Sequence, residues 1–148
     1  MPWVSTVPYL GLVLDSKLLF TRHMHTVENT ATGVFCDIFP LLARDSALTQ
    51  SSKLTLYKLL IRYILTYATP VWNFTFSSSY LRLHVIQSKC LRVIGYHPRH
   101  THNFHLHYTL NFEPSRFIIH RLKAKFFAHC SSYLKPLVKQ IGNFTIAD

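Results

Sequence analysis

The stretch 54–68 constrains the fold of this chain more than any other part of it. Leu54, Tyr57, Ile61, Ile64, Leu65 and Ala68 recur at helical spacing and make one apolar face. Leu56, Leu59, Leu60 and Tyr63 make the same helix apolar on most other sides. A helix of that kind must be covered from several directions, so a central place in a helical bundle is expected. Thr49 or Ser51 can cap its start, Pro70 is expected to end it, and Val71-Trp72 follow as an anchor. Lys58 and Arg62 lie within it. A spanning helix needs about twenty mostly uncharged residues, so this segment reads as part of a soluble protein.

Three more long helices are expected around it. From Thr21 to Leu42, Val27, Ala31, Val34, Phe35, Ile38 and Leu42 keep a helical period, Thr21 can serve as N-cap, and Pro40 should kink or shorten the far end. Over 78–96, Leu83, Ile86, Cys90, Val93 and Ile94 face a core, and Gly95 and Pro98 stop the helix. A fourth starts at Pro114, with Ile118, Leu122 and Phe126 as its core stripe and Phe127 and Cys130 beside it. A last short helix is expected over 133–141. The segment 97–107 is polar and His-rich, a linker with a short helix near its end. At the other end, residues 9–14 form a short apolar run after Pro8 and read as a strand closed by the turn Asp15-Ser16-Lys17. That strand needs partners, and few other strand candidates exist. The fold class is therefore mainly α, a helical bundle with a short N-terminal β segment.

Charge narrows the function. Sixteen Lys and Arg stand against six acids, a formal net charge of +10. Such an imbalance favours an anionic partner, nucleic acid before an anionic membrane. The acids are Asp15, Glu28, Asp37, Asp45, Glu113 and Asp148, all widely spaced. Metal-dependent phosphoryl chemistry needs clustered carboxylates. No catalytic residue is therefore assigned, and neither a cofactor nor a metal site is expected in this chain. A Gly-rich phosphate loop and a nucleophile elbow are absent. Cys36, Cys90 and Cys130 are odd in number and far apart, which fits a reducing compartment better than a disulfide framework. Cys90 reads as core rather than nucleophile. Asn73 and Asn143 begin Asn-x-Thr sequons, which matter only in a secreted chain, and Met1-Pro2-Trp3 lacks the basic start of a signal peptide. An intracellular location, in cytoplasm or nucleus, is expected.

His97, His100, His102, His105 and His107 invite a zinc reading, but no Cys lies nearby and solvation of a loop explains them as well. His23-x-His25 is weaker still. The basic stripes carry more. Arg82, Lys89 and Arg92 share one arc of a helix, and Arg99 follows. Arg116, Arg121, Lys123 and Lys125 add a second cationic surface, with His120 on the same side. A solvated face normally mixes both signs. These helices carry almost only positive charge, which points to phosphate contact.

Several ordered blocks of the chain also resemble the reverse transcriptases of jockey-like non-LTR retrotransposons. Tyr9-Leu10-Gly11-Leu12-Val13-Leu14-Asp15-Ser16-Lys17-Leu18 is similar to the segment just after that family's catalytic core. Lys53-Leu54-Thr55-Leu56-Tyr57-Lys58 followed by Ile61-Arg62-Tyr63-Ile64-Leu65-Thr66-Tyr67-Ala68-Thr69-Pro70-Val71-Trp72 is the most specific stretch. Ile86-Gln87-Ser88-Lys89-Cys90-Leu91-Arg92-Val93-Ile94 resembles a third block. Leu106-His107 with Leu110, and Ile141-Gly142-Asn143-Phe144-Thr145, match more weakly. Where the family usually carries Pro in an Arg-Pro-Ile-Leu run, this chain has Tyr63.

The resemblance implies a place within the polymerase. Tyr9, Leu10 and Gly11 would be a primer-grip-like strand at the end of the palm, over 1–20. Residues 21–96 would be a thumb-like bundle, and 97–148 a His-rich linker with connection helices. The partners would be an RNA–DNA or other duplex, held by its phosphates, and the rest of the polymerase. The family's Asp-Asp box, and the magnesium expected in an intact enzyme, would lie upstream of Met1, so the chain alone would be inactive. The alternatives are a non-catalytic nucleic-acid- or protein-binding helical module and a small metalloprotein built on the His-rich loop.

Overall fold

A computed structural model describes residues 5–72 and 77–142. Both sequons, at Asn73 and Asn143, and the Asn143-Phe144-Thr145 block lie outside them. The fold is mainly α with one small N-terminal sheet, as the sequence implies.

The N-terminal segment differs from expectation in one respect. Residues 9–14 are not a single strand. Thr6–Tyr9 (β1) pairs antiparallel with Leu12–Asp15 (β2), Tyr9 opposite Leu12, so the partner is local. Leu10 and Gly11 make the two-residue turn, with φ of 46° and 78°. Positive φ at both positions is what a tight hairpin of this hand requires. Pro8 sits in a two-stranded sheet with an open edge, where a missing N–H is tolerated.

Helix α1, Thr21–Leu42, has the expected bounds. Its N-cap is Phe20 rather than Thr21. Phe20 takes a left-handed φ of 53° and no side chain caps the first turn. Pro40 lies in the last turn and the helix ends two residues later. Val27, Ala31, Ile38 and Leu42 are buried as expected, Val34 and Phe35 partly so. His23 and Met24 are buried as well.

The apolar helix begins as α2, Gln50–Leu56, with the Thr49 hydroxyl accepting from the Ser52 N–H. It widens into a π-helical stretch, Tyr57–Arg62, and returns to α-helix as α3, Tyr63–Thr66. Tyr57, Ile61 and Leu65 are fully buried, but Leu59, Leu60 and Tyr63 are exposed, so the helix is covered on one side only. Pro70 does not end it. Ala68, at φ 51°, turns the chain, and Pro70 sits in the first turn of α4, Thr69–Trp72, where its missing N–H costs nothing. Trp72 is buried and its indole N–H donates to the Tyr67 carbonyl at 2.8 Å.

Helix α5, Ser77–Ile94, packs on α1 through Leu83, Ile86, Cys90, Leu91 and Ile94. It ends in a Schellman turn. His97 N–H donates to the Arg92 carbonyl and Tyr96 N–H to that of Val93. The left-handed residue there is Tyr96, at φ 57°, and not Gly95. Helix α6, Asn103–Thr109, and α7, Ser115–Ser131, follow, then α8, Pro136–Gly142. Of the stripe expected on α7 only Ile118 is buried, joined by Ile119, while Leu122 and Phe126 stand partly exposed. α7 packs on α4, α5 and α8. Among the described residues, no helix is long and apolar enough to cross a membrane.

Candidate nucleic-acid interface

The seam between α1 and α5 carries charge along its length, and the charge changes character from end to end. At one end Arg82 pairs with Glu28 of α1 at 3.2 Å. At the other, the C-terminal turns of both helices open a groove of about 810 Å³. Arg44 enters from the residue pair after α1, Lys89 and Arg92 from α5, and Arg99 from the loop beyond. Phe35, Phe39, Tyr96 and His97 complete most of its wall, and none of the lining residues is acidic. Neither the Arg82–Glu28 pair nor the Arg121–Glu113 pair includes a groove cation.

Each cation is held differently. Lys89, Arg44 and Arg99 are exposed. Arg92 is half-buried and donates to the Thr101 carbonyl at 3.2 Å and the Asn103 side-chain oxygen at 2.6 Å. It therefore anchors the loop 97–102 while keeping a charge that no carboxylate offsets among the described residues. Behind the groove stands Lys53, fully buried. Its ammonium donates to the Ala43 carbonyl at 2.5 Å and the Tyr96 hydroxyl at 2.7 Å, and lies 5.0 Å from the Tyr96 ring centroid. Lys53 thus ties together the two lips of the groove, the chain after α1 and the chain after α5.

The second basic surface, on α7, is built otherwise. Arg121 makes a two-pronged pair with Glu113, at 2.9 and 2.8 Å. Arg116 and Lys125 are exposed and Lys123 is half-buried. So Lys89, Arg92 and Arg99 come together, Arg82 lies farther along the same seam, and Arg116, Arg121, Lys123 and Lys125 occupy a different helix.

The residues Tyr9, Leu10 and Gly11 form the tip of the hairpin. The Tyr67 hydroxyl donates to the Leu10 carbonyl at 2.8 Å. A Cβ on Gly11 would come within 3.2 Å of the Tyr67 ring, so glycine is needed both for the turn and for this approach. Tyr9 and Leu10 are exposed.

The histidines of 97–107 enter the packing separately. His102 caps α6, accepting from the Phe104 N–H at 3.3 Å. His107 stacks on His84 with ring centroids 5.7 Å apart, and His97 meets His105 edge-on at 5.6 Å. Burial, then the neighbouring His107 and Arg92, hold His84 below the ordinary imidazole range. Among the described residues no three His, Cys, Asp or Glu side chains converge where a metal ion could sit, so these residues do not fit a magnesium or zinc site. Cys90 is fully buried, and desolvation pushes its thiol up to about 12, which removes it as a nucleophile near neutral pH.

Sequence reasoning missed Arg44, Lys53, Phe39 and Tyr96. Arg44 belongs to no helical stripe, and the burial of Lys53 is not legible from its place at the start of an apolar helix.

A basic bundle of this kind, with a hairpin pinned to its second long helix, is similar in sequence to part of the RNA-directed DNA polymerases of jockey-like mobile elements, in agreement with the blocks described above. The chain is 30% identical over 94 residues to the probable RNA-directed DNA polymerase from transposon X-element of Drosophila melanogaster, covering 64% of this chain and 10% of that protein. It is 27% identical over 129 residues to the probable RNA-directed DNA polymerase from transposon BS of the same species, 87% of this chain and 14% of that one. It is 25% identical over 134 residues to the RNA-directed DNA polymerase from mobile element jockey of Drosophila funebris, 90% and 15% respectively. The chain thus spans only 10% to 15% of the length of these relatives. No family model matches it, and no solved structure is similar to it.

Proposed function

We propose that this chain is the nucleic-acid-gripping part of a retrotransposon reverse transcriptase, thumb and connection, which holds template and primer through their phosphates and does no chemistry itself. The observation that carries the reading is the meeting of Arg44, Lys89, Arg92 and Arg99 in one groove with no carboxylate lining it. Cations without acid partners release counterions when they meet phosphates, which gives affinity without sequence preference. A polymerase that must advance along any template needs that property. The hairpin tip, Tyr9-Leu10-Gly11, would support the primer end. The exposed Leu59, Leu60 and Tyr63 would face another part of the polymerase.

The test is a fluorescence-anisotropy titration of the chain with an RNA–DNA heteroduplex across a salt series. Affinity should fall steeply and log-linearly with salt. Affinity indifferent to salt contradicts the reading. Self-association in light scattering without nucleic-acid affinity would favour a protein-binding module built on the exposed apolar face instead.

A further inference from the structure

We propose that the groove between the ends of α1 and α5 receives an unpaired polynucleotide strand, with phosphates on Arg44, Lys89 and Arg99 and a base laid against Phe39. The inference rests on the reading above that this surface binds nucleic acid, and adds which form the groove selects.

Aromatic exposure is the first argument. Phe39 is 45% exposed and Tyr96 46% exposed, and both line the groove beside the cations. A surface that only follows a duplex backbone has no use for exposed rings, because paired bases are already stacked on one another. A positively charged groove with an aromatic platform is the arrangement that single strands recognise, since every base offers a π-face.

Preformation is the second. Lys53 holds the Ala43 carbonyl and the Tyr96 hydroxyl at once, so the lips are fixed before a ligand arrives. Arg92 fixes the loop that carries Arg99. Phe39 packs edge-on against Phe35, centroids 5.9 Å apart, which holds its ring in place. The space, about 810 Å³, falls within the usual range for a small-ligand cleft of about 300–1,000 Å³.

The experiment uses the whole chain and two probes, a short oligothymidylate carrying one 2-aminopurine and a blunt duplex. Binding of the single strand should quench 2-aminopurine fluorescence. Phe39→Leu should abolish the quench and weaken the single strand roughly tenfold while changing duplex affinity by about twofold or less. Phe39→Trp should keep both quench and affinity. The proposal is overturned if Phe39→Leu weakens both probes equally or neither, or if polyglutamate displaces the single strand as well as an oligonucleotide does. Salt-sensitive duplex binding with Phe39→Leu neutral removes this inference alone. Absence of affinity for either probe removes it together with the proposed function.

Discussion

The two basic surfaces look alike in sequence and differ in space. The α7 surface draws its charge from one helix, and its most central cation, Arg121, is already matched by Glu113. The groove draws Arg44, Lys89, Arg92 and Arg99 from the end of one helix, the body of another and a loop, and its lining contains no acid. Positive charges gathered in one groove repel one another, and no acidic residue lines the groove to offset them. A chain keeps such an arrangement at a cost in stability, which an anionic ligand can offset. Net charge alone therefore does not locate a binding surface; the convergence of unmatched charges does.

The sharpest way to break this comparison is to remove charge from each surface in turn. Replacing Arg44, Lys89 and Arg99 together by Ala should lower affinity for a single strand on the order of a hundredfold at low salt and flatten the log–log salt slope by about 2. Replacing Arg116 and Lys125 should cost only about twofold to threefold in the same anisotropy assay. Equal losses would erase the distinction.

Lys53 separates stability from binding. Its ammonium is fully buried with no carboxylate beside it, while its acceptor Tyr96 is 46% exposed and can turn to water. Lys53→Met should leave urea-unfolding stability unchanged or raise it by about 1 kcal/mol, since a buried charge whose hydrogen-bond partners are all neutral is removed. Affinity should still fall about fivefold as the lips loosen and one charge is lost. A destabilised variant with intact affinity would show that the residue serves only the fold.

Acid should act on the floor next to the groove. His84 faces His107, Arg92 and Asn103, and its pKa in the fold lies below the ordinary 6.5. The unfolded chain then binds more protons as pH falls below about 6.5, so the stability this site contributes is present above that pH and lost beneath it. The buried His23 is shifted in the same direction, by desolvation. The melting temperature should drop by about a few degrees between neutral pH and pH 5, and His84→Gln should reduce the drop. The smallest effect is expected at the matched surface. Arg121→Gln should change stability by less than about 1 kcal/mol, because the Arg121–Glu113 pair is largely in water.

Much of the fold was legible in the sequence, and the reasons are local. The bounds of α1 follow from an unbroken apolar period, and the Thr49 cap from a hydroxyl three residues before a free backbone N–H. The hairpin was half legible, because Pro8 disguises β1 and the turn uses Leu10 where Asn or Gly would be the usual signal. The end of α5 misleads in the same way, since Tyr96 takes the left-handed position beside an available Gly95. The α7 stripe over-reads a period of which Leu122 and Phe126 stay partly exposed. The groove was legible only in its α5 half. Lys89, Arg92 and Arg99 stand in an evident basic run, but Arg44 joins them only when α1 lies on α5, and no local rule reports that packing.

The central claim is that nucleic acid lies in the groove and not along α7. Ultraviolet cross-linking of the chain to a single-stranded RNA carrying 4-thiouridine, followed by peptide mapping, tests it directly. Adducts should fall within 35–44 and 89–99. Adducts confined to 115–131 would contradict the account.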